Sequence, residues 1–443
     1  MTDLHAQFRA RPYAGYAYSY PHKTAYRDFT PPVSLAEAWA TERKDALFLY
    51  AHIPFCEMRC GFCNLFTVAN PKAELENPYL DALARQVRVT REALGSDAKF
   101  ARLAIGGGTP TYLELPDLRR LFSLLREGMG ADTQAIPVSV EMSPGTIDRE
   151  KLQFLKDQGV DRVSIGVQSF HTEIAKAMGR PNRPEIVQSA LELLRDMDFP
   201  TLNIDLIYGG AGQSPEKWQE SLEATLEYAP REVFLYPLYV RPLTGLDKTD
   251  REWADMRLAL YVQGRDFLLA QGYTQMSMRM FRKVLPEDAD APVYRCQEDG
   301  MVGLGVGARS YTRGLHYSSR YAVGRNGLRN IISAYNSATE ADFAEIPYGV
   351  RLSLTEQKRR YVIQSLLHFE GLSAAEYAHW FGAEVVTDMV ELGDLERAGL
   401  AKWEENSDAR MILTEKGMAL SDAIGPWLYS AQVRDKMEAY ELV

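Results

Sequence analysis

Three cysteines fall within eight residues, Cys56, Cys60 and Cys63, in the spacing Cys-x3-Cys-x2-Cys. Thiolates this close suit a metal centre, yet three are one short of the set that structural zinc or a fully ligated iron–sulfur cluster requires. On a four-iron cube, three thiolates leave one iron with an open position. That open iron meets the chemical requirement for binding S-adenosylmethionine (SAM) through its amino and carboxylate groups and reducing it. Zinc completed by His52, or three small buried hydrophobes, are the plainer alternatives. The fourth cysteine, Cys296, stands alone. It could serve as a hydrogen-atom donor, a substrate-facing thiol or a buried structural residue.

Further along, Gly106–Gly107–Gly108 is followed by Thr109 and Pro110. With no Cβ in the way, the backbone can approach a ligand, so that its carbonyls take an ammonium group while Thr109 and Pro110 set the turn. Glu141 and Gln168 close short apolar runs and suit ribose hydroxyls and adenine edges. Arg180 carries the planar fork that matches a carboxylate. Asp205 interrupts the apolar stretch NIDLIY, where a carboxylate is costly without a partner, either a ligand hydroxyl or a neighbouring Arg.

The elements that must position these residues follow from the patterning. Apolar runs at Leu47–Ile53, Arg102–Ile105, Pro137–Met142, Asp161–Val167, Thr201–Ile207 and Glu232–Tyr236 alternate with helix-like segments near 77–94, 116–127, 147–158, 184–197, 215–229 and 253–271. Six β/α units predict an α/β chain with a parallel sheet, closed as a partial (β/α)6 barrel. Loops at the C-terminal ends of such strands build sites. The cysteines, the glycines, Glu141, Gln168 and Asp205 all fall at those ends.

Length, at 443 residues and ~150 per domain, allows two or three domains. The expected division is an N-terminal arm (1–45), the barrel (46–271), a Gly/Arg-rich connecting and substrate-side region (272–350) and a C-terminal winged-helix-like module (351–443). A formal charge of −10 argues against a general nucleic-acid binder, and Glu391, Asp394, Glu396, Glu404 and Glu405 argue the same for the module. No run is apolar enough to span a membrane, and residues 1–16 lack the apolar core of a signal peptide, so a cytoplasmic protein is expected.

The stretch YAHIPFCEMRCGFC resembles the cluster loop of radical SAM enzymes, in particular the oxygen-independent coproporphyrinogen III oxidase family. Tyr50, His52, Ile53, Pro54 and Phe55 match that family's lead-in. The motifs GGGTPTYL, VEMSPGT, RVSIGVQSF, GRPN, NIDLIYG and GLGVGARSY have counterparts in the same order. The resemblance implies a [4Fe–4S] cluster on Cys56, Cys60 and Cys63. It also implies SAM contacts from Tyr50, Glu141, Gln168, Arg180 and Asp205, with His52 orienting its neighbours. A 5′-deoxyadenosyl radical would then take hydrogen from a tetrapyrrole propionate, which loses CO2 to leave a vinyl group. One SAM or two, the second beside Gly303–Gly307, an electron donor such as flavodoxin or ferredoxin, and a monomeric chain complete the expectation. Haem delivery, and methyl transfer or ring formation on another substrate, are the alternatives.

Two departures from the family pattern stand out. Leu65 occupies the place of a further cysteine, and Tyr294-Arg295-Cys296-Gln297-Glu298-Asp299 replaces a His-Asn-x-x-Tyr-Trp stretch. Within residues 1–27, Arg9, Arg11, Lys23 and Arg27 face only Asp3. With Tyr16, Tyr18 and Tyr20, this basic arm suits a flat polycarboxylate.

Overall fold

The computed structural model describes residues 3–17, 19–181, 183–248, 254–288, 300–404 and 409–441. Cys296, with the rest of the 294–299 stretch, and Tyr18 lie outside the described residues.

In chain order the strands that matter here are β1 (Arg27–Ser34), β2 (Leu47–Ile53), β3 (Phe100–Gly107), β4 (Val138–Met142), β5 (Arg162–Gln168), β6 (Thr201–Tyr208) and β7 (Glu232–Pro237). They are followed by β8 (Met280–Arg282), β9 (Met301–Leu304), β10 (Arg309–Tyr311), β11 (Leu315–Ser318) and β12 (Glu345–Arg351). Strands β2 to β7 pair in sequence order and all in parallel, as the six β/α units require. Burial alternates along several of them: in β4, Val138, Val140 and Met142 are buried while Ser139 is half-buried and Glu141 exposed. In β6 every residue is buried except Asp205.

The crossover helices follow from local signals. Tyr79–Leu94 buries Leu80, Leu83, Val87 and Leu94, a stripe at helical spacing. Pro184–Met197 opens on proline, whose missing N–H is no loss in a first turn, and stops at Asp198 in a left-handed conformation. Ser214 caps Pro215–Leu226 by accepting from the Lys217 N–H.

The sheet does not stop at six strands. β9 adds to the outer edge of β2 in parallel, with Gly303 opposite Tyr50, and β10, β11, β12 and β1 continue it antiparallel. At the other end β8 runs antiparallel to β7. The region 272–350 therefore builds sheet as well as loops. Nor is the arm wholly irregular: it contains a helix, Leu4–Ala10, and the edge strand β1. Pro31 and Pro32 hide that strand from a periodicity reading, and an edge position is where proline is tolerated in a sheet.

Between helix and strand, the arm crosses from one end of the parallel run to the other. Tyr13 packs edge-on against Tyr208 and Tyr239, at ring separations of 6.3 and 6.4 Å. Tyr16 lies under the Arg279 guanidinium, 3.7 Å from ring centre to Cζ. The Gly15 N–H donates to the Asp422 carbonyl (3.0 Å), and Ser19 accepts from Arg309 on β10 (2.9 Å). Tyr20 is fully buried against Tyr429 and donates to Glu356.

The C-terminal segment holds helices Leu354–Leu366, Ala374–Phe381 and Glu391–Arg397. A three-stranded sheet joins Leu372–Ser373, Arg410–Leu413 and Ala401–Trp403. A buried ion pair ties this segment to the barrel. Arg279, 3% exposed, donates to Asp422, 1% exposed, which also accepts from the Tyr239 hydroxyl. Removing one member of a buried pair strands the other charge, at a cost of about 3–5 kcal/mol. Asp422→Asn is therefore expected to lower unfolding stability by about that much. Denaturant titration of purified wild type and variant checks it, and superimposable curves would show the pair to be incidental.

Candidate active site

The three cysteines follow β2 in a loop held by backbone bonds on several sides. Phe55–Cys56 pairs in parallel with Val68–Ala69, the Thr109 N–H donates to the Phe55 carbonyl (2.7 Å), and the Cys63 N–H to the Cys60 carbonyl (3.1 Å). Cys56 and Cys60 are buried, and Cys63 is partly so. Burial pushes the Cys63 thiol up to about 12, and the neighbouring Cys60 and Cys56 add to it. A metal centre offsets that penalty by binding the thiolate forms directly. Among the described residues, no three His, Cys, Asp or Glu side chains gather as ligands of a single ion do. The three thiols lie close enough for the charge of one to disfavour that of the next, as suits ligands gathered around one polynuclear centre.

A second loop meets this one at a glycine pair. The Gly61 N–H donates to the Gly179 carbonyl (3.2 Å). Gly179 has φ +71°, and a Cβ there would sit 2.7 Å from Gly61 Cα. A Cβ on Gly61 would in turn lie 2.7 Å from the Met178 carbonyl oxygen. Only glycine allows this approach. It delivers the next residue, Arg180, into the site. Arg180 is 7% exposed and donates to Cys60 Sγ (3.2 Å), to Ser143 Oγ (3.2 Å) and to the Gly166 carbonyl (2.9 Å). Its Nε is buried with no hydrogen-bond partner. A buried guanidinium N–H left without an acceptor beside the cysteines fits an anionic ligand group there.

Gly106–Gly108 ends β3 under the β4 carboxylate. The Gly107 N–H donates to Glu141 Oε2 (3.1 Å), and a Cβ on Gly106 would lie 2.8 Å from that carboxyl group. Thr109 Oγ1 sits 3.1 Å from Cys56 Sγ, linking the glycine strand to the cysteine loop. Glu141 keeps solvent-accessible surface on β4 while protein surrounds its carboxyl. Burial raises Glu141 to about 7, and nearby Asp205 adds to the shift. Asp205 is raised to about 6, again by burial first. It accepts from Asn203 Nδ2 (2.8 Å) and, at 3.5 Å, from Ser164. Arg162 lies near enough to favour the charged form of Asp205, but donates to Glu232 (2.7 Å).

Gln168 follows a skip in the β5–β6 register and has φ +70°, rare for a side chain of its kind. Such a bulge re-aims the residue that ends the strand. Tyr50 and His52 share one face of β2. Burial lowers His52 to about 4, so the ring is neutral. His52 Nε2 is 2.9 Å from the Phe66 carbonyl and carries the hydrogen, which leaves Nδ1 to accept from the Tyr50 hydroxyl (3.2 Å).

The structure thus brings Tyr50, Gly106–Gly108, Thr109, Glu141, Gln168, Arg180 and Asp205 to the same strand ends as the cysteines. Their supports were not read from the sequence: Ser143, which bonds both Arg180 and Glu57, and the Ser164–Asn203 pair around Asp205. Asn203 precedes Asp205 by two residues on the same strand face, so the period of two was the available signal. Leu65, in the place of the absent cysteine, is 50% exposed.

A family model described as the Radical SAM superfamily matches residues 50–225, the span that carries these strand ends. Residues 50–225 carry a radical SAM domain. This radical SAM chain is 29% identical over 405 residues to the oxygen-independent coproporphyrinogen III oxidase of Pseudomonas aeruginosa, covering 86% of this chain and 85% of that one. The Escherichia coli protein of the same name is also 29% identical, over 434 residues and 91% of each chain. In fold, the solved E. coli coproporphyrinogen III oxidase, titled a radical SAM enzyme, superposes with TM-score 0.77 at 24% identity. The superposition covers 96% of this chain and 98% of that one. That domain implies a [4Fe–4S] cluster and SAM, and the chain is a radical SAM oxidoreductase. No helix among the described residues is long and apolar enough to cross a membrane.

The raised Glu141 carboxyl has a measurable consequence. Its folded-state value, about 7, exceeds its ordinary 4.5, so folding favours the protonated form. The stability this contributes is full below the ordinary value and is lost as pH rises through about 7. Wild type is therefore expected to lose melting temperature relative to Glu141→Gln between pH 5 and pH 8, as followed by circular dichroism of the metal-free chain. Parallel pH profiles would contradict the assignment.

Proposed function

We propose that this enzyme abstracts hydrogen from an anionic tetrapyrrole, in the manner of the oxygen-independent coproporphyrinogen III oxidases it resembles, with propionate oxidised to vinyl and CO2 released. In this reading Cys56, Cys60 and Cys63 hold three irons of the cluster and leave the fourth open to SAM. A cluster held by these cysteines would supply, when reduced, the electron that cleaves SAM.

The chain's own residues do the positioning. Arg180 offers its buried Nε–H to the methionine carboxylate, while its other nitrogens hold it against Cys60 and Ser143. Glu141, Gln168 and Asp205 meet the ribose and adenine edges, Gly106–Gly108 and Thr109 lie along the methionine, and Tyr50 flanks it. The contact from Arg180 to Cys60 Sγ carries this reading, because it joins a guanidinium with one unpartnered buried N–H to the cluster loop. At this site the reading takes one SAM, and a second would bind away from the Gly303–Gly307 loop. In the Gly303–Gly307 loop the Gly305 and Gly307 N–H groups already donate to Gln86 and Ser319, which leaves those amides unavailable to a second nucleotide. Flavodoxin or ferredoxin as electron donor, a monomeric chain and a substrate-facing Cys296 belong to the same proposal.

Anaerobic reconstitution should give about four irons per chain, with Cys60→Ala losing the ~400 nm absorption. Stoichiometric zinc without iron would overturn the cluster assignment. Incubation with coproporphyrinogen III, dithionite and SAM should yield vinyl product and CO2. If 5′-deoxyadenosine forms while the tetrapyrrole stays intact, the substrate is a different one; a Soret shift with haem but no turnover would point to delivery. Arg180→Lys should weaken SAM binding about tenfold or more, since an ammonium cannot reproduce the fork. Unchanged SAM affinity by equilibrium dialysis would remove Arg180 from the site.

A further inference from the structure

A group of cations at the junction of arm and sheet has no part in the site above. Lys23 opens the short turn Lys23–Ala25, which His22 caps by accepting from the Thr24 N–H (3.3 Å). The Lys23 ammonium lies 3.5 Å from the centre of the Tyr321 ring. The Tyr321 hydroxyl donates to the Asn64 carbonyl (3.1 Å), one residue past Cys63, so this ammonium stands at the edge of the cluster loop. From the other side Arg309 reaches the arm from β10, and Arg241, beyond β7, lies 4.3 Å over the Tyr239 ring.

Among the described residues, no carboxylate stands within ion-pair distance of Lys23. The charges that act on it are Arg309, which repels, and the Cys63 thiol. Burial holds Lys23 well below the ordinary lysine range, and Arg309 adds to the depression. His22 is lowered in the same way, by burial and then by Lys23, Arg309 and Arg241. A lysine ammonium set on an aromatic ring beside a second cation, with no carboxylate near it among the described residues, is costly to bury unless an anion completes it.

We propose that Lys23 and Arg309 form a carboxylate clamp at the mouth of the radical site. The clamp rests on the reading of Cys63 as part of the cofactor loop, because that reading places the held carboxylate beside the reacting centre. A carboxylate can come from an acidic side chain of the substrate or from the methionine part of a second SAM, and Lys23 would act on either by charge and reach. In both cases it is a positioning residue that sets which ligands enter and how they turn.

The test uses the full chain with its cluster reconstituted. Coproporphyrin III and its tetramethyl ester are titrated by fluorescence quenching, and SAM stoichiometry is measured by equilibrium dialysis. Wild type should bind the tetra-acid about tenfold more tightly than the ester. Lys23→Met should lose that preference while binding the ester as before, and Lys23→Arg should restore it. If Lys23→Met instead keeps the acid preference but binds one SAM fewer than wild type, the clamp stands and its carboxylate is SAM's. If Lys23→Met changes neither porphyrin binding nor SAM stoichiometry, the clamp is refuted. Should that variant fail to fold, wild type decides: equal affinity for acid and ester, with only one SAM bound, refutes the clamp. A wild-type chain that takes up no iron overturns the radical SAM site assignment instead, which separates the two failures.

Discussion

Arg180 and Cys60 are 120 residues apart in the chain, and the site depends on their contact. It exists because two backbones touch without side chains between them, at Gly61 and Gly179. Any Cβ at that crossing would push the turn after β5 away from the loop after β2, and the guanidinium would retreat with it. Around this point the other bonds are short-range consequences: Ser143 bridges Arg180 to Glu57, and Thr109 reaches Cys56 from the glycine strand. The parallel sheet supplies the crossing by placing both loops at the same ends of their strands.

The charges of the site are graded from floor to rim. Glu141 and Asp205 lie among the strand ends, where burial holds both carboxyls above their ordinary range. Lys23, Arg241 and Arg309 gather where the arm meets the sheet. A chain with formal charge −10 thus presents a cationic edge at one place and proton-holding carboxyls inside it. Such a gradient suits the proposed pairing of a zwitterionic cofactor with an anionic substrate.

The arm and the C-terminal segment serve the same geometry from outside. Tyr13, Tyr16, Ser19 and Tyr20 anchor the arm in turn to β6, Arg279, β10 and the C-terminal helices. The Arg279–Asp422 pair sits under that path. What delivers Lys23 to the cluster loop is therefore the fit of a whole segment, with aromatic rings in place of a long secondary-structure element.

Much of this was legible in the linear chain, for physical reasons that differ by residue. The six parallel strands announce themselves as short apolar runs between amphipathic segments, because each packs at least one face into the core. The cysteine spacing speaks for itself because metal ligands need sulfur at short range. Gly106–Gly108, Glu141, Gln168 and Asp205 could be placed at strand ends by counting along those runs. Other features were not legible. The edge strand β1 hides behind Pro31 and Pro32, and β9 to β12 are too short for a period to stand out. The bulge at Gln168 is a register event between two strands. Asp205 was expected to need a ligand hydroxyl or a neighbouring Arg; Asn203 and Ser164 hold the carboxyl, and Arg162 lies near it while donating to Glu232. By itself, then, the sequence determined the kinds of chemistry and the order of the elements, because composition and period act locally. Tertiary structure alone decided that Gly61 meets Gly179, that Arg180 keeps one buried N–H without a partner, and that Lys23 of the arm reaches the loop of Cys63. Each of these is a contact between segments far apart in the chain, and only closure of the sheet and docking of the arm bring them within a bond's length.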